Sequence, residues 1–172
     1  MRGPSSKRRY LQRVVNTVIV KFTATYCACA HRVAHGMDSA PKLWFCDVVE
    51  SVGMFGVVME FVEGRRVDDD KPHLPEKVLE PLRGAISVLH DVGLVHGDLR
   101  GPNVIVSEGS GGKHAMLLDF DWGGKEGDVF YPVDINMQLT WHDDVKPGTL
   151  NTTCSCLDVG LQLGKRKVKC LQ

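Results

Sequence analysis

Apolar positions change their period along the chain, and each change marks an element. Val14-Val15, Val18-Ile19-Val20 and Phe22 are β-branched or aromatic and predict a strand running through Lys21. From Thr23 to His35 the residues permit a helix, with Gly36 as its stop signal. Ala40-Pro41-Lys42-Leu43 opens a second extended region, and Gly56 to Val62 predicts another strand, ended by Glu63-Gly64. Asp68-Asp69-Asp70-Lys71-Pro72 reads as a solvated loop. Pro75 and Pro81 each suit a first helical turn, where no backbone donor is lost. After Pro81, Leu82, Ala85, Ile86 and Leu89 recur at helical spacing, with Gly93 as the cap.

Val104-Ile105-Val106 and Ala115 to Leu118 predict two short strands joined by a hairpin turn over Ser107 to Lys113. Beyond Asp119 the regular signals fade into segments punctuated by Gly123-Gly124, Tyr131-Pro132 and Lys146-Pro147-Gly148. Strand, helix, strands, helix and hairpin in that order predict an α+β fold. The expected division is a basic lead over 1–12, one partial domain over 13–150 and a divergent basic tail over 151–172.

Composition narrows the function classes. In 172 residues, Lys plus Arg and Asp plus Glu both number 21, which argues against a general nucleic-acid or membrane-surface binder. Nothing approaches the apolar length of a membrane span. The six cysteines include two C-x-C pairs, Cys27 with Cys29 and Cys154 with Cys156, without zinc-knuckle spacing; reduced thiols are the expectation. Asn151-Thr152-Thr153 fits a glycosylation acceptor that only a secreted protein could use. The chain reads as intracellular and cytoplasmic. Lys165 to Lys169 reads as an exposed basic tail or, alternatively, a nuclear address.

The residues that carry chemistry cluster after Gly93: His96-Gly97-Asp98-Leu99-Arg100-Gly101-Pro102-Asn103, then Leu118-Asp119-Phe120-Asp121. Phosphoryl transfer asks a protein for positioning and charge neutralisation. A carboxylate must orient the attacking hydroxyl, an amide five residues on can hold a metal ion, and a later carboxylate must hold metal against phosphates. Asp98, Asn103 and Asp119 match that scheme in order and spacing. Arg100 adds a cation where a transferred phosphoryl group needs one.

On these residues the chain resembles the protein-kinase-like superfamily, in particular fungal kinase-like proteins that carry an H-G-D-L-R loop and a D-F-D-W segment. The resemblance implies an ATP- and Mg2+-dependent phosphotransferase, with Asp98 as catalytic base, Asn103 and Asp119 as magnesium ligands, and His96 supporting the loop. Lys21 matches the lysine that contacts nucleotide phosphates; the competing reading is an exposed strand lysine. Glu60, Phe61 and Val62 resemble the hinge that holds adenine, or else form a plain edge strand. Within 13–150, residues 13–62 would be an N-lobe remnant and 63–150 a partial, mostly helical C-lobe.

Departures from the family pattern shape the rest of the expectation. Gly97 replaces the arginine that normally receives an activation-loop phosphate, and the H-G-D wording is shared with small-molecule kinases. No glycine-rich loop precedes Lys21, and no acidic residue lies between Phe22 and Met37 to pair with it. Asp121 stands at a usual glycine position, read as capping a turn in preference to adding a carboxylate near metal; Trp122 reads as packing. No Ala-Pro-Glu sequence appears, which predicts a truncated product with an exposed C-lobe face that invites a partner. His31 and His35 read as surface histidines. The expected function is transfer of the terminal phosphoryl group to a protein hydroxyl. The alternatives are a pseudokinase or truncated fragment acting as a binding module, and a small-molecule kinase.

Overall fold

The computed structural model describes residues 17–67, 74–109, 112–138 and 146–149. The lead over 1–12, Val14-Val15, Asp68 to Pro72 and the tail over 151–172, with its acceptor triplet, cysteines and basic run, lie outside the described residues.

The β-branched run folds as β1, Val18–Thr23. It pairs antiparallel with β3, Met54–Glu60, which pairs on its other side with β2, Leu43–Val49. The order β1-β3-β2 leaves β1 at an edge of this sheet. The Gly56–Val62 expectation is thus shifted, since the strand runs from Met54 to Glu60 and Phe61 and Val62 continue beyond it.

Strand alternation gives this sheet two faces. Ile19, Lys21, Thr23, Val57 and Met59 fall on one, and Val18, Val20, Phe22, Phe45 and Val58 on the other. Gly56 shows how the second face is packed: a Cβ there would meet Val49 Cγ2 at 2.8 Å, with Phe45 and Phe22 ring atoms at 3.5 and 3.7 Å. Val18, Val20, Phe22 and Phe45 remain exposed on that side.

Helix α1, Ala28–Gly36, starts later than its sequence suggests because Thr23 belongs to β1 and Cys27 is the N-cap, its Sγ accepting from the Ala30 N–H. Gly36 ends it as expected. Helix α2, Glu76–Asp91, starts after Pro75, so Pro81 lies inside it and not in a first turn. An interior proline costs about 3 kcal/mol. The burial of Val78, Leu79, Leu82, Ala85, Ile86 and Leu89 along one face offsets that loss, at about 1.5–3 kcal/mol for each large side chain. Gly93 follows in the left-handed region, φ 69°, as the helical stop predicted from sequence.

A second sheet has the order β4-β6-β7: β4 is Arg65–Arg66, β6 Val104–Gly109 and β7 Gly112–Leu117. The hairpin strands run further into the predicted turn than expected, pairing Ser107 with His114 and Glu108 with Lys113. β5, Leu94–Val95, pairs with β8, Gly124–Lys125, and brings the chain after Asp121 back beside the chain before His96. Among the described residues no helix is long and apolar enough to cross a membrane.

The main core joins α1, α2, the β6–β7 hairpin and Phe120. His31 belongs to this core and not to the surface: it is fully buried and stacks on Phe120, ring centroids 4.7 Å apart at 8°. Its Nε2–H donates to the Pro41 carbonyl at 2.8 Å, and the Tyr26 hydroxyl donates to Nδ1 at 2.6 Å. Both ring nitrogens are satisfied only by the neutral imidazole, and its aromatic faces make it a packing residue. Helical periodicity places His31 on the same side as Ala30 and Ala34, the apolar side of α1, where a polar ring is hard to anticipate.

Burial pushes the His31 pKa down to about 4, despite the favourable Pro41 contact. The unfolded imidazole titrates near its ordinary value, so between the two the unfolded state holds the extra proton. Stability from this group is complete above about pH 6.5 and falls on acidification towards pH 4, by on the order of 3 kcal/mol in total. Urea unfolding at pH 7 and pH 4.5 should show that loss, and His31→Gln should flatten the slope. An equal slope in both proteins would contradict this account of His31.

Candidate active site

Three pieces of backbone build the site: β1, the chain leaving β3, and the loop and turn that flank the β6–β7 hairpin. In the loop, Asp98 is 6% exposed and its groups are held from three directions. Arg100 Nε donates to Oδ1 at 2.8 Å, and Asn103 Nδ2 donates to Oδ2 at 2.7 Å and to the Asp98 carbonyl at 2.8 Å. A short 3-10 turn, Gly101–Asn103, folds the amide back onto the carboxylate five residues earlier. The Asn103 N–H donates to the Arg100 carbonyl, and the Leu118 N–H to the Asn103 carbonyl, which ties the loop to the end of β7.

His96 supports this loop from beneath. The Asp98 N–H donates to Nδ1 at 3.3 Å, so Nε2 carries the ring hydrogen and donates to the Leu118 carbonyl at 3.0 Å. Complete burial lowers its pKa, which keeps that neutral tautomer. The ring also lies 4.7 Å from Phe120. His96 therefore links the loop before β6 to the turn after β7, in keeping with its expected supporting role.

Asp119 adopts φ 64°, a left-handed conformation that aspartate tolerates better than most side chains. This sharp turn sends Phe120, fully buried, into the core and leaves carboxylates on either side of it. Both reach Lys21: Nζ lies 2.6 Å from Asp119 Oδ1 and 2.7 Å from Asp121 Oδ1. Asp121 Oδ2 also accepts from Thr23 Oγ1 at 2.8 Å. Lys21 is thus neither a free strand lysine nor lacking an acidic partner. Its partners lie 98 and 100 residues away, beyond the reach of local pattern.

The electrostatics follow from that triad. Burial works against the Lys21 charge, but hydrogen bonds and attraction to the two aspartates outweigh it and raise its pKa. Burial also disfavours the Asp119 anion, yet the Lys21 ammonium holds its pKa below the usual carboxylate range. At Asp121, burial, together with repulsion from Asp119, wins over Lys21 and Thr23 and raises the pKa.

A cavity of about 300 Å³ lies between these groups and the chain leaving β3. Lys21, Glu60, Phe61, Val62, Asn103 and Asp119 all line it, together with Ile19, Met59, Arg66, Ile105 and Leu118. Asp98 and Arg100 are not among its lining residues and stand behind Asn103. The expected hinge has divided roles. The Glu60 N–H donates to the Lys42 carbonyl and the Phe61 N–H to the Thr17 carbonyl, whereas Val62 enters no backbone hydrogen bond among the described residues. Ile19 and Thr23 were recoverable from the sequence, since strand alternation places them on the Lys21 face. Arg66 gave no such signal.

Magnesium takes hard oxygen ligands, binding through one or two carboxylates together with substrate phosphates. Asn103 and Asp119 supply an amide oxygen and a carboxylate to one cavity, so the donor set fits that ion. Among the described residues no group of three or more His, Cys, Asp or Glu side chains is arranged to hold a metal without such added ligands.

Sequence comparison finds two relatives. Over 95 residues the chain is 39% identical to serine/threonine-protein kinase pkn2 of Myxococcus xanthus, covering 52% of this chain and 11% of that protein. Over 68 residues it is 40% identical to the KEOPS complex subunit Bud32 of Pyrococcus abyssi, covering 37% of this chain and 29% of that one. No family model matches. Among solved structures, the Cydia pomonella granulovirus kinase PK-1 superposes with a TM-score of 0.51 at 18% identity, over 69% of this chain and 46% of its own. The chain has a protein-kinase-like fold, and over part of its length it is similar to a serine/threonine-protein kinase. The matches span less than a third of either curated relative.

Asn103 carries the carboxylate of a largely buried aspartate, and removing a partner from such a group costs more than the bond contributes. Asn103→Ala should therefore lower the unfolding free energy by about 1–3 kcal/mol in denaturant titration. Unchanged stability would contradict the role given to the Asn103 contacts.

Proposed function

We propose that this chain is an ATP-dependent phosphotransferase that passes the terminal phosphoryl group to a protein hydroxyl. The observation that carries the reading is the placement of Lys21, Asn103 and Asp119 around one cavity whose far side is Glu60 to Val62, with Asp98 held directly behind Asn103. Residues 13–62 would cover the nucleotide and residues 63–150 would supply base and metal ligands. Adenine would sit between Ile19, Met59 and Leu118 and meet the free backbone groups of Val62. Lys21 would neutralise the phosphates from the β1 side.

Asn103 and Asp119 would hold magnesium, which when bound supplies positive charge against the phosphate oxygens. Asp98 orients the acceptor hydroxyl and takes its proton while the hydroxyl oxygen bonds to the terminal phosphorus. The bond from that phosphorus to the bridging oxygen breaks, and ADP leaves. Arg100, on Asp98 Oδ1, keeps the carboxylate aimed and places a cation beside the transferred group. The name of the Myxococcus relative supports a serine or threonine hydroxyl as acceptor.

A second reading, a kinase-like binding module, is favoured by the exposed apolar face carrying Val18, Val20, Phe22 and Phe45. The name of the archaeal relative, a complex subunit, is compatible with it. One experiment separates the two. Under the enzyme reading, ATP with magnesium raises the melting temperature of the wild type, and Asp119→Asn abolishes the metal-dependent part. Phosphate transfer to a generic protein substrate then falls by about 10²- to 10⁴-fold in Asp98→Asn. A folded wild type unmoved by ATP and magnesium contradicts the enzyme reading and leaves the binding module.

A further inference from the structure

We propose that Asp121 is the positioning residue for Lys21, supplying from the turn after Phe120 the acid that α1 lacks. The inference rests on the reading of Lys21 as a phosphate contact. Helix α1 offers no carboxylate, and none lies anywhere between Phe22 and Met37. The ammonium is nevertheless held by two aspartates, and the two are not equivalent.

Asp119 lines the cavity and has a side chain 41% exposed, whereas Asp121 is 21% exposed and is not part of the lining. Asp121 has both oxygens engaged inside the protein, Oδ1 with Lys21 and Oδ2 with Thr23. Asp119 spends only Oδ1 on Lys21. A cation in the cavity would draw on Asp119, and Asp121 would then remain as the acid on Lys21.

The mounting of Asp121 supports a fixed holder. Its carbonyl accepts from Thr25 Oγ1 at 2.7 Å, so the chain on both sides of Thr23 is tied to it. The Phe120 carbonyl accepts from the Cys27 N–H at 3.0 Å and the Gly123 N–H at 3.2 Å, closing the turn. Phe120 itself is clamped between His31 and His96. Lys21, Thr23 and Asp121 thus form a unit between strand and turn in which the acid on the ammonium comes from the turn and not from α1.

The test is calorimetric binding of ATP to wild type, Lys21→Met, Asp121→Asn and the double variant, each with magnesium and again with chelator, with adenosine as the phosphate-free control. Asp121→Asn should weaken ATP binding about tenfold with magnesium, close to 1.4 kcal/mol, and by a smaller factor with chelator, where Asp119 still holds Lys21. The double variant should bind no worse than Lys21→Met, and adenosine affinity should stay unchanged in all four. An unchanged ATP affinity with magnesium would overturn the proposal, as would additive losses or an equal loss for adenosine. If Asp121→Asn does not fold, Thr23→Val replaces it, with a smaller loss expected and an unchanged affinity counting against the proposal. If wild type binds no nucleotide, the functional reading fails. The pairing is then read from a double-mutant cycle on unfolding free energy, where zero coupling between positions 21 and 121 overturns it.

Discussion

The left-handed turn at Asp119 is the constraint on which the rest of the site depends. With φ at 64°, the chain reverses sharply after β7, so that one side chain of three enters the core while the aspartates on either side of it reach Lys21. The buried one is Phe120, in contact with His31 from α1, His96 from the loop before β6 and, edge-on, Tyr26. Aromatic pairs of this kind contribute about 0.5–1.5 kcal/mol beyond their buried area. Their larger effect is geometric, because they fix where two carboxylates meet a lysine from a strand nearly a hundred residues earlier.

That geometry changes the meaning of the absences in the sequence. A chain without an acid on α1 looks unable to hold its lysine, and an uncompensated ammonium positions phosphates poorly. The structure supplies the negative charge from the Asp119–Asp121 turn, so the missing acid is not by itself a sign of lost activity. The exposed apolar face of the β1-β3-β2 sheet is the feature behind the binding-module reading. Both facts belong to the same strand: β1 presents Lys21 and Thr23 inward and Val18, Val20 and Phe22 outward.

The legible and illegible parts of the chain divide by range of interaction. The apolar spacing of α2 and its Gly93 stop, the β-branched runs of β1 and β6, and the base-and-amide spacing of Asp98 and Asn103 are local, and the sequence displayed them. His31 was misplaced because its environment is made by Pro41, Tyr26 and Phe120, which no period reveals. Pro81 was misplaced because tertiary burial of the α2 face overrides the local cost of an interior proline. Asp121 looked like a turn residue, and it is one; its second role depends on a partner 100 residues away. The kinase-like wording drew attention to the 96–103 loop, while the lysine's anchorage depends on contacts across the fold.

The central claim is that one nucleotide-facing site joins β1 to the 96–121 region through Lys21. Its most direct test is a crystal structure of the chain with magnesium and a non-hydrolysable ATP analogue. The account predicts the adenine against Val62, the metal on Asn103 and Asp119, and Lys21 Nζ between the phosphates and Asp121. A nucleotide bound elsewhere, or Lys21 turned out to solvent with Asp121 on the metal, would contradict it.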